Sequence, residues 1–275
     1  MRSNKYNKYN QASGRSAASE RVKNRRAKAK SSADKKKIAK LIMIGVAIVL
    51  FIVLICLIRY CAIYLIESHS DTELKGVDVS SYQQEIDWEG LKDEGFVFAY
   101  AKATEGSTHV DPRFEEYWHD ARKTGFKTGA YHFLSFDTNG KKQAKNFIKT
   151  VPKKCNALPP VVDVEMYGDY ESSPPSQKKL DKHLKPVLEK LEKKYHKKPI
   201  IYTNPYVYNK YISGKYDGYK IWISDNSIPE SLPDGKAWTF CQYTFSGTSQ
   251  YVAGGQAEFD CNLYYGTKWD LRKLQ

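Results

Sequence analysis

Two carboxylic acids stand two residues apart in an apolar segment, residues 159–166, which reads PPVVDVEM. The β-branched run predicts a short buried strand. Side chains alternate across a strand, so Asp163 and Glu165 point to one side and the neighbouring valines to the other. Two acids on one face of a buried strand end are costly unless they serve a purpose. The alternative interpretation is a strand edge with two solvated acids.

A pair of carboxyl groups is what a glycoside hydrolase needs, because one acid protonates the leaving oxygen and the other stabilises the positive sugar. Two more acids, Asp78 and Asp260, close the first and the last predicted strands. A closed barrel makes these strands neighbours, so we expect both acids side by side at one rim. Repulsion among four acids raises at least one pKa, which keeps a carboxyl protonated near neutral pH.

Aromatic and hydrogen-bonding side chains are predicted at the same rim, where flat rings beside polar groups suit a sugar chain. Taken singly, the presence of each Tyr or Trp is explained by filling of the core. A single histidine is likewise explained by a structural role in which its ring is hydrogen-bonded. The prediction of substrate contacts therefore rests on the set, which comprises Tyr131, His132, Tyr202, Trp222 and Gln242.

The elements that position these residues alternate regularly between strand and helix. Helices are predicted at 88–94, 113–123, 141–150, 177–195 and 206–212. Eight strands are predicted, at 76–80, 96–101, 129–134, 161–165, 199–202, 219–223, 238–243 and 259–263. This order predicts an α/β fold, a single TIM-like β/α barrel with five β/α units and three further strands. In such barrels the chemistry lies at the C-terminal ends of the strands.

The net charge of +13 first suggests a nucleic-acid binder, but the charge is confined to one end of the chain. Residues 1–40 hold 14 Lys/Arg and two acids, whereas residues 60–275 hold 29 basic and 29 acidic residues. Residues 1–37 have almost no apolar periodicity, which predicts a disordered basic tail. Specific binding of nucleic acid is not expected, since charge alone gives only non-specific attraction.

Residues 41–58 form an uncharged apolar run of 18 residues, which is long enough to span a lipid bilayer. The lipid bilayer is therefore the expected partner of this segment. Lysines precede it directly, so the positive-inside rule predicts a cytoplasmic N-terminus and a domain outside the cytoplasmic membrane. A cleaved signal peptide is the alternative, and Ser68-His69-Ser70 would serve as its cleavage site. The long basic region and the length of the run favour an uncleaved signal anchor.

Five cysteines are present, so not all of them can pair within the domain. Cys241 and Cys261 fall on two late strands, and a disulfide between them is conceivable outside the cytosol. Free buried cysteines are the alternative. No Cys/His cluster has zinc-site spacing, and neither a metal nor an organic cofactor is expected.

Residues 75–265 resemble the glycoside hydrolase family 25 muramidases, the Chalaropsis-type lysozymes. The motifs occur in the family's order and spacing, although a Trp is common in the family where Cys241 stands. They are GVDVSSYQ at 76–83, IDW at 86–88, KATEG at 102–106, GAYHF at 129–133, QA at 143–144 with Phe147, DVE at 163–165, IYT at 201–203, WI at 222–223, CQY at 241–243 and FDCN at 259–262.

The resemblance implies hydrolysis of the β-1,4 bond between N-acetylmuramic acid and N-acetylglucosamine in peptidoglycan, by a retaining, substrate-assisted mechanism. It implies that Glu165 is the general acid, that Asp163 orients the N-acetyl group, and that Asp78 and Asp260 support the site. Glu105, in the KATEG motif, joins the predicted substrate-binding residues. The alternatives are a non-catalytic glycan-binding module on the same barrel and a hydrolase of another N-acetylated polymer such as chitin.

The predicted organisation is therefore a basic tail (1–37), a transmembrane signal anchor (38–66), a linker (67–74) and a lysozyme-like domain (75–272). A monomer is expected.

Overall fold

The structure, a computed structural model, describes residues 23, 35–37, 39–65 and 73–275. The chain divides into two compact units, Met1–Leu65 and Ile66–Gln275. In the first unit, helix α1 (Lys35–Leu65) reaches a mean hydropathy of 3.5 and is long and apolar enough to cross a membrane. A signal sequence near the N-terminus would have the same length and composition. Most of the predicted tail and linker lies outside the described residues, although β1 begins two residues before the predicted domain.

The second unit is a closed barrel of eight strands with one extra strand on its edge. Its order is β1-β2-β4-β5-β6-β7-β8-β9, with β9 returning to β1, while β3 pairs only with β2. The strands are β1 (Glu73–Val79), β2 (Phe96–Glu105), β3 (His109–Val110), β4 (Lys127–Phe133), β5 (Val161–Asp163), β6 (Ile200–Thr203), β7 (Lys220–Ser224), β8 (Phe240–Gly247) and β9 (Phe259–Tyr265). The predicted eight-strand barrel is thus confirmed, and the short β3 is an addition.

Helices follow the first five barrel strands and cover the outside of the sheet. They are α2 (Trp88–Asp93), α3 (Phe114–Lys123), α4 (Gly140–Thr150), α5 (Asp169–Ser172), α6 (Gln177–Tyr195) and α7 (Pro205–Val207), which continues into a π-helical turn at Tyr208–Ile212; α8 (Lys268–Lys273) follows β9. The two that the sequence does not predict, α5 and α8, have only four and six residues.

Helix α6 has the predicted bounds because both of its ends carry strong signals. Ser176 caps its N-terminus by accepting a hydrogen bond from the backbone N–H of Lys179 at 3.2 Å. His196 ends the helix in the left-handed conformation, with φ of 56°. Its apolar stripe, which includes Leu184 and Leu188, is buried against the rest of the domain.

The period of two along each strand separates an inner core from an outer one. In β2, Phe98 and Tyr100 point into the barrel, whereas Ala99 and Ala101 belong to the outer core under the helices. The inside is filled with rings, since Tyr100 and Trp222 have centroids 5.0 Å apart and Tyr202 lies 5.2 Å from Trp222. The inside of the barrel is therefore a packed core.

The direction of the last strand corrects one sequence prediction. Strands β1, β2 and β4 to β8 run parallel, but β9 is antiparallel to both of its neighbours. Asp260 therefore does not close its strand, as predicted, but is the second residue of β9. The reversal still brings it to the predicted rim, where it lies opposite Asp78 in the β1–β9 register.

Candidate active site

A cavity of about 280 Å³ opens at the rim where the parallel strands end. All four predicted catalytic acids line it, together with four of the six predicted substrate-binding residues. The lining comprises Asp78, Val79, Ser80, Tyr82, Gln83, Lys102, Tyr131, Phe133, Val161, Asp163, Glu165, Tyr202, Trp222, Gln242, Phe245 and Asp260. The outward-facing Val162 and Val164 are buried in the outer core, as the alternation in the PPVVDVEM segment predicts.

Asp78 is held by amide groups from the last two strands. Its Oδ2 accepts hydrogen bonds from Asn262 Nδ2 at 2.7 Å and from Gln242 Nε2 at 2.9 Å. Gln242 Oε1 in turn accepts from the hydroxyls of Tyr202 at 2.7 Å and Ser224 at 3.0 Å. Two amides aimed at one carboxylate oxygen stabilise its charged form and fix its position.

Asp78 and Asp260 face each other and share a proton between them. Burial raises the pKa of Asp78 to about 6, although the hydrogen bonds from Asn262 and Gln242 act to lower it. Burial and then the charge of Asp78 raise the pKa of Asp260 to about 9. At neutral pH the pair therefore carries about one negative charge.

The second pair lies at the end of β5, where Asp163 is the last residue of the strand and Glu165 follows two residues later. Burial and then the charge of Asp78 raise the pKa of Glu165 to about 7. Burial, followed by the charges of Glu165 and Asp78, raises the pKa of Asp163 well above its usual range. Within the described residues, the buried Oδ1 of Asp163 has no hydrogen-bond partner. An orphaned buried acceptor in a cavity requires a partner, which a ligand N–H or O–H can supply.

Lys102 provides the positive charge of the site, and the sequence analysis did not select it. In the part of the chain that the structure describes, it is the only basic side chain lining the cavity. Its charge counteracts the rise in the pKa of Asp163. Glu105 does not line the cavity but forms an ion pair with Lys102 Nζ at 2.8 Å, and its charge adds to the rise in the pKa of Asp163.

Tyr131 and Tyr202 both keep their protons and can donate hydrogen bonds. Burial is the main cause that raises the pKa of each phenol, and nearby acids add to it. Trp222 lies on the cavity floor, where its indole N–H donates to Asn262 Oδ1 at 2.9 Å. The floor is thus rigid and the walls carry donors.

His132 lies outside the cavity, on the opposite face of β4 from Tyr131. It is fully buried, with its ring packed edge-on against Phe147. Its Nε2 contacts the Gln143 amide oxygen at 3.0 Å, so Nε2 donates and Nδ1 accepts from the Thr104 hydroxyl at 2.7 Å. Burial lowers its pKa to about 4, which keeps the ring neutral. The structure therefore places this histidine in the outer core, where it cannot contact a ligand in the cavity.

The alternation of side chains along a strand indicates that Lys102 and Asn262, which the sequence analysis did not select, face the cavity. Lys102 shares the inward face of β2 with Phe98 and Tyr100, and a lysine on an inward face is costly without a role. Asn262 shares the face of Asp260 on β9, two residues away. Counting faces along each strand would have identified both.

Both predicted alternatives for the late cysteines can now be compared. Cys241 and Cys261 lie on the adjacent strands β8 and β9, and both are buried free thiols. Burial is the main cause that raises the pKa of each thiol, to about 12 for Cys241 and about 11 for Cys261. The structure thus agrees with the interpretation as free buried cysteines.

The crowded acids predict a pH-dependent stability. A carboxyl whose pKa is raised by folding contributes its full stability only below its unfolded pKa of about 4. That stability declines progressively as pH rises from there to the folded pKa, which is about 9 for Asp260, so much of it is lost at pH 8. We expect Asp260→Asn, which keeps a donor toward Asp78 but loses the acid, to raise the free energy of unfolding at pH 8 by about 2 kcal/mol. At pH 4 it should change little.

Thermal unfolding of the full-length protein in detergent at both pH values measures this effect. Asp169→Asn, at an exposed acid of α5, is the matched control and should leave the curves unchanged. Equal effects of Asp260→Asn at the two pH values would show that the acid pair does not strain the fold.

An α/β barrel that gathers paired acids and amide donors at its strand ends has the architecture of a glycoside hydrolase. Residues 77–252 match the model of the family described as Glycosyl hydrolases family 25. The chain belongs to this family, and the predicted resemblance is confirmed.

The chain is similar to solved structures and to curated proteins. A family 25 glycosyl hydrolase from Bacillus anthracis has a solved structure that is 44% identical, with a TM-score of 0.70, covering 75% of this chain and 96% of that one. The uncharacterized protein YegX of Escherichia coli K12 is 35% identical over 72% of each chain. The N,O-diacetylmuramidase of a Chalaropsis species is 28% identical over 73% of this chain and 98% of its own length.

Proposed function

We propose that this protein is a membrane-anchored lysozyme that hydrolyses the β-1,4 bond between N-acetylmuramic acid and N-acetylglucosamine in peptidoglycan. Membership of family 25 supports this function, as does similarity to proteins named lysozyme and N,O-diacetylmuramidase. The observation that carries the proposal is the Asp163–Glu165 pair, which combines a glutamic acid of pKa about 7 with an orphaned acceptor oxygen in the same cavity.

In the first step Glu165 acts as the general acid. Its proton goes to the bridging oxygen while the bond from that oxygen to the anomeric carbon breaks, and the electron pair stays with the departing sugar. The acetamido oxygen of the substrate attacks the anomeric carbon from the opposite face and forms a cyclic intermediate. Asp163 Oδ1 accepts the acetamido N–H, which aligns the attacking oxygen and satisfies the orphaned acceptor.

In the second step water opens the cyclic intermediate. The water oxygen bonds to the anomeric carbon, the bond from the acetamido oxygen breaks, and the water proton returns to Glu165, now the general base. Two inversions give net retention, and one water is consumed for each glycosidic bond. The enzyme ends in its starting protonation state and needs no cofactor in this scheme.

The remaining cavity residues bind and orient the sugar in this proposal. Tyr131 donates a hydrogen bond to the sugar, whereas Tyr202, whose proton is held by Gln242, offers its oxygen as an acceptor. Trp222 and Gln242 shape the floor. The Asp78–Asp260 pair keeps negative charge near the anomeric carbon, where positive charge develops. His132 and Glu105 are not included among the sugar contacts, because neither lines the cavity.

Helix α1 anchors the enzyme in the cytoplasmic membrane in this proposal, with the N-terminus in the cytoplasm and the barrel outside. Its length, its mean hydropathy of 3.5 and the lysines directly before residue 41 support this orientation. A tether raises the local concentration of the enzyme near the wall, so weak affinity for the glycan is tolerated.

The proposed mechanism predicts an activity that falls as pH rises. Glu165 must be protonated for the first step, and its pKa is raised to about 7. We expect kcat/KM to decline about tenfold per pH unit well above pH 7. Initial rates on a soluble glycan fragment between pH 4 and pH 9 measure the profile, and an activity still rising at pH 8 would contradict Glu165 as the acid.

The test of function is digestion of purified peptidoglycan by the full-length protein, with new reducing ends identified by mass spectrometry after borohydride reduction. Reduced muramic acid ends are the expected result. Reduced glucosamine ends would retain a hydrolase but overturn the bond assignment. Retention on the polymer without new ends would instead indicate a glycan-binding module, and cleavage of chitin in preference to peptidoglycan would change the substrate class.

A further inference from the structure

The charges of the barrel unit are unevenly distributed along the barrel axis. The unit carries equal numbers of acidic and basic residues, since residues 60–275 hold 29 of each. Its rim gathers Asp78, Asp163, Glu165 and Asp260 around the cavity. The opposite end, which we call the base, is where each helix connects to the next parallel strand.

Three connections at the base contain ten Lys/Arg residues and no acid. They are residues 122–127 leading into β4, 149–160 leading into β5 and 193–199 leading into β6. Strands β4, β5 and β6 are neighbours in the barrel, so the three connections are adjacent. We call them together the basic base.

Direct contacts join the three connections into one surface. Arg122 Nη2 donates to Asn156 Oδ1 at 2.6 Å, which links the first connection to the second. Lys197 Nζ donates to the carbonyls of Ala157 at 2.6 Å and Cys155 at 3.0 Å, which links the second to the third. These bonds hold the half-buried cations in place.

Most of the positive charge on this surface is available to a partner. Seven of the ten basic residues are exposed, among them Lys153, Lys154, Lys193 and Lys194. An array of several ammonium groups on one face suits phosphate groups that are themselves arranged in a plane. Because salt screens such attraction within about 8 Å at physiological ionic strength, it acts only when the surface is in near contact with its partner.

We propose that the basic base docks on anionic lipid headgroups, so that the barrel stands on the membrane with its rim turned away. The chain enters the barrel at this same end, because β1 begins there with Glu73 and runs parallel to β2 toward the rim. The proposal rests on the membrane anchor of the proposed function but not on its chemistry.

Energy transfer in nanodiscs tests the orientation with the full-length protein. Cys155 is exposed on the basic base, so a donor fluorophore can be attached there once Cys56 and Cys61 are changed to serine. The acceptor is a labelled lipid headgroup, and the discs contain phosphatidylcholine with or without 30% phosphatidylglycerol. We expect transfer to at least double in the anionic discs and to return to the neutral value in 0.5 M NaCl.

Matched variants separate docking from net charge. Replacing Lys153, Lys154, Lys193 and Lys194 by Gln should abolish the increase in transfer. Replacing Lys141, Lys142, Lys145 and Lys182, which are exposed lysines of α4 and α6 outside the basic base, should preserve it. A donor on the rim, placed by Ser246→Cys in a Cys155→Ser background, should show no increase.

Equal transfer in both kinds of disc, or equal loss in both lysine variants, would overturn the proposal. Binding of soluble polyphosphate by the basic base without lipid-dependent transfer would overturn it in favour of an anionic wall polymer. Hydrolysis of a soluble glycan fragment is measured on the same samples, and the base variant should retain the wild-type rate. If no sample hydrolysed the fragment but energy transfer still increased in the anionic discs, the result would contradict the proposed muramidase activity and support the proposed docking.

Discussion

Replacing Glu165 by glutamine is expected to lower the rate of peptidoglycan cleavage by about 10³-fold or more without unfolding the domain. Proton donation by a positioned acid contributes about 10²–10⁴-fold, and glutamine fills the same space but has no acidic proton. The same residue is also the proposed base of the second step, so both halves of the reaction lose it. The amount of new reducing ends per hour, with thermal unfolding as the folding check, measures the effect.

Glu171→Gln is the matched control, since this exposed glutamate of α5 lies six residues further along the chain. It should cleave at the wild-type rate. If Glu165→Gln retained wild-type activity in a folded protein, the general acid would have to be another group. Asp260 would then be a candidate for the general acid, because its pKa of about 9 also keeps it protonated at neutral pH.

Replacing Gly129 by alanine is expected to destabilise the barrel by about 3 kcal/mol, which lowers the melting temperature by about 6–12 °C. A Cβ at this position would lie 2.1 Å from the ring of Tyr100. That ring is fully buried and packed on Trp222 at 5.0 Å and on Phe240 at 5.7 Å, so it cannot move aside. Thermal unfolding in detergent measures the loss.

Gly218→Ala is the matched control, because a Cβ there would meet only the flexible end of Lys198, at 3.0 Å. It should change the melting temperature by less than about 2 °C. The cost of Gly129→Ala should also shrink in a Tyr100→Ala background, where the contact is absent. An undiminished cost in that background would assign the effect to the backbone of β4 and not to the ring.

The sequence was sufficient for the barrel because its strongest patterns are local. Short runs rich in apolar and aromatic residues, such as FVFAYA, GAYHF and PPVVDVE, identify strands. The capped apolar stripe of α6 defines that helix within a residue. Short elements such as β3, α5 and α8 carry too few residues for a periodic signal. Their position depends on tertiary contacts.

The site was predictable to the extent that it follows strand ends. Asp78, Asp163, Glu165 and Asp260 were selected because acids interrupt apolar strands, and all four line the cavity. Proximity to the strand end did not distinguish the two faces of β4, so His132 was selected although its side chain points into the outer core. The antiparallel direction of β9 was also not predictable, since a strand pattern reads the same in both directions.

Because the barrel closes between its first and last strands, the site can form only after the last strand has been synthesised. Asp78 lies on the first strand, and its bond partner Asn262, on the last, is 184 residues away in the chain. At roughly 5–20 residues per second, translation needs about 10–40 s to pass from one to the other. Until then the nascent chain holds Asp163 and Glu165 but neither the amides nor the last acid that surround Asp78. The site is thus incomplete while the chain is on the ribosome, and it forms only after synthesis of the domain has finished.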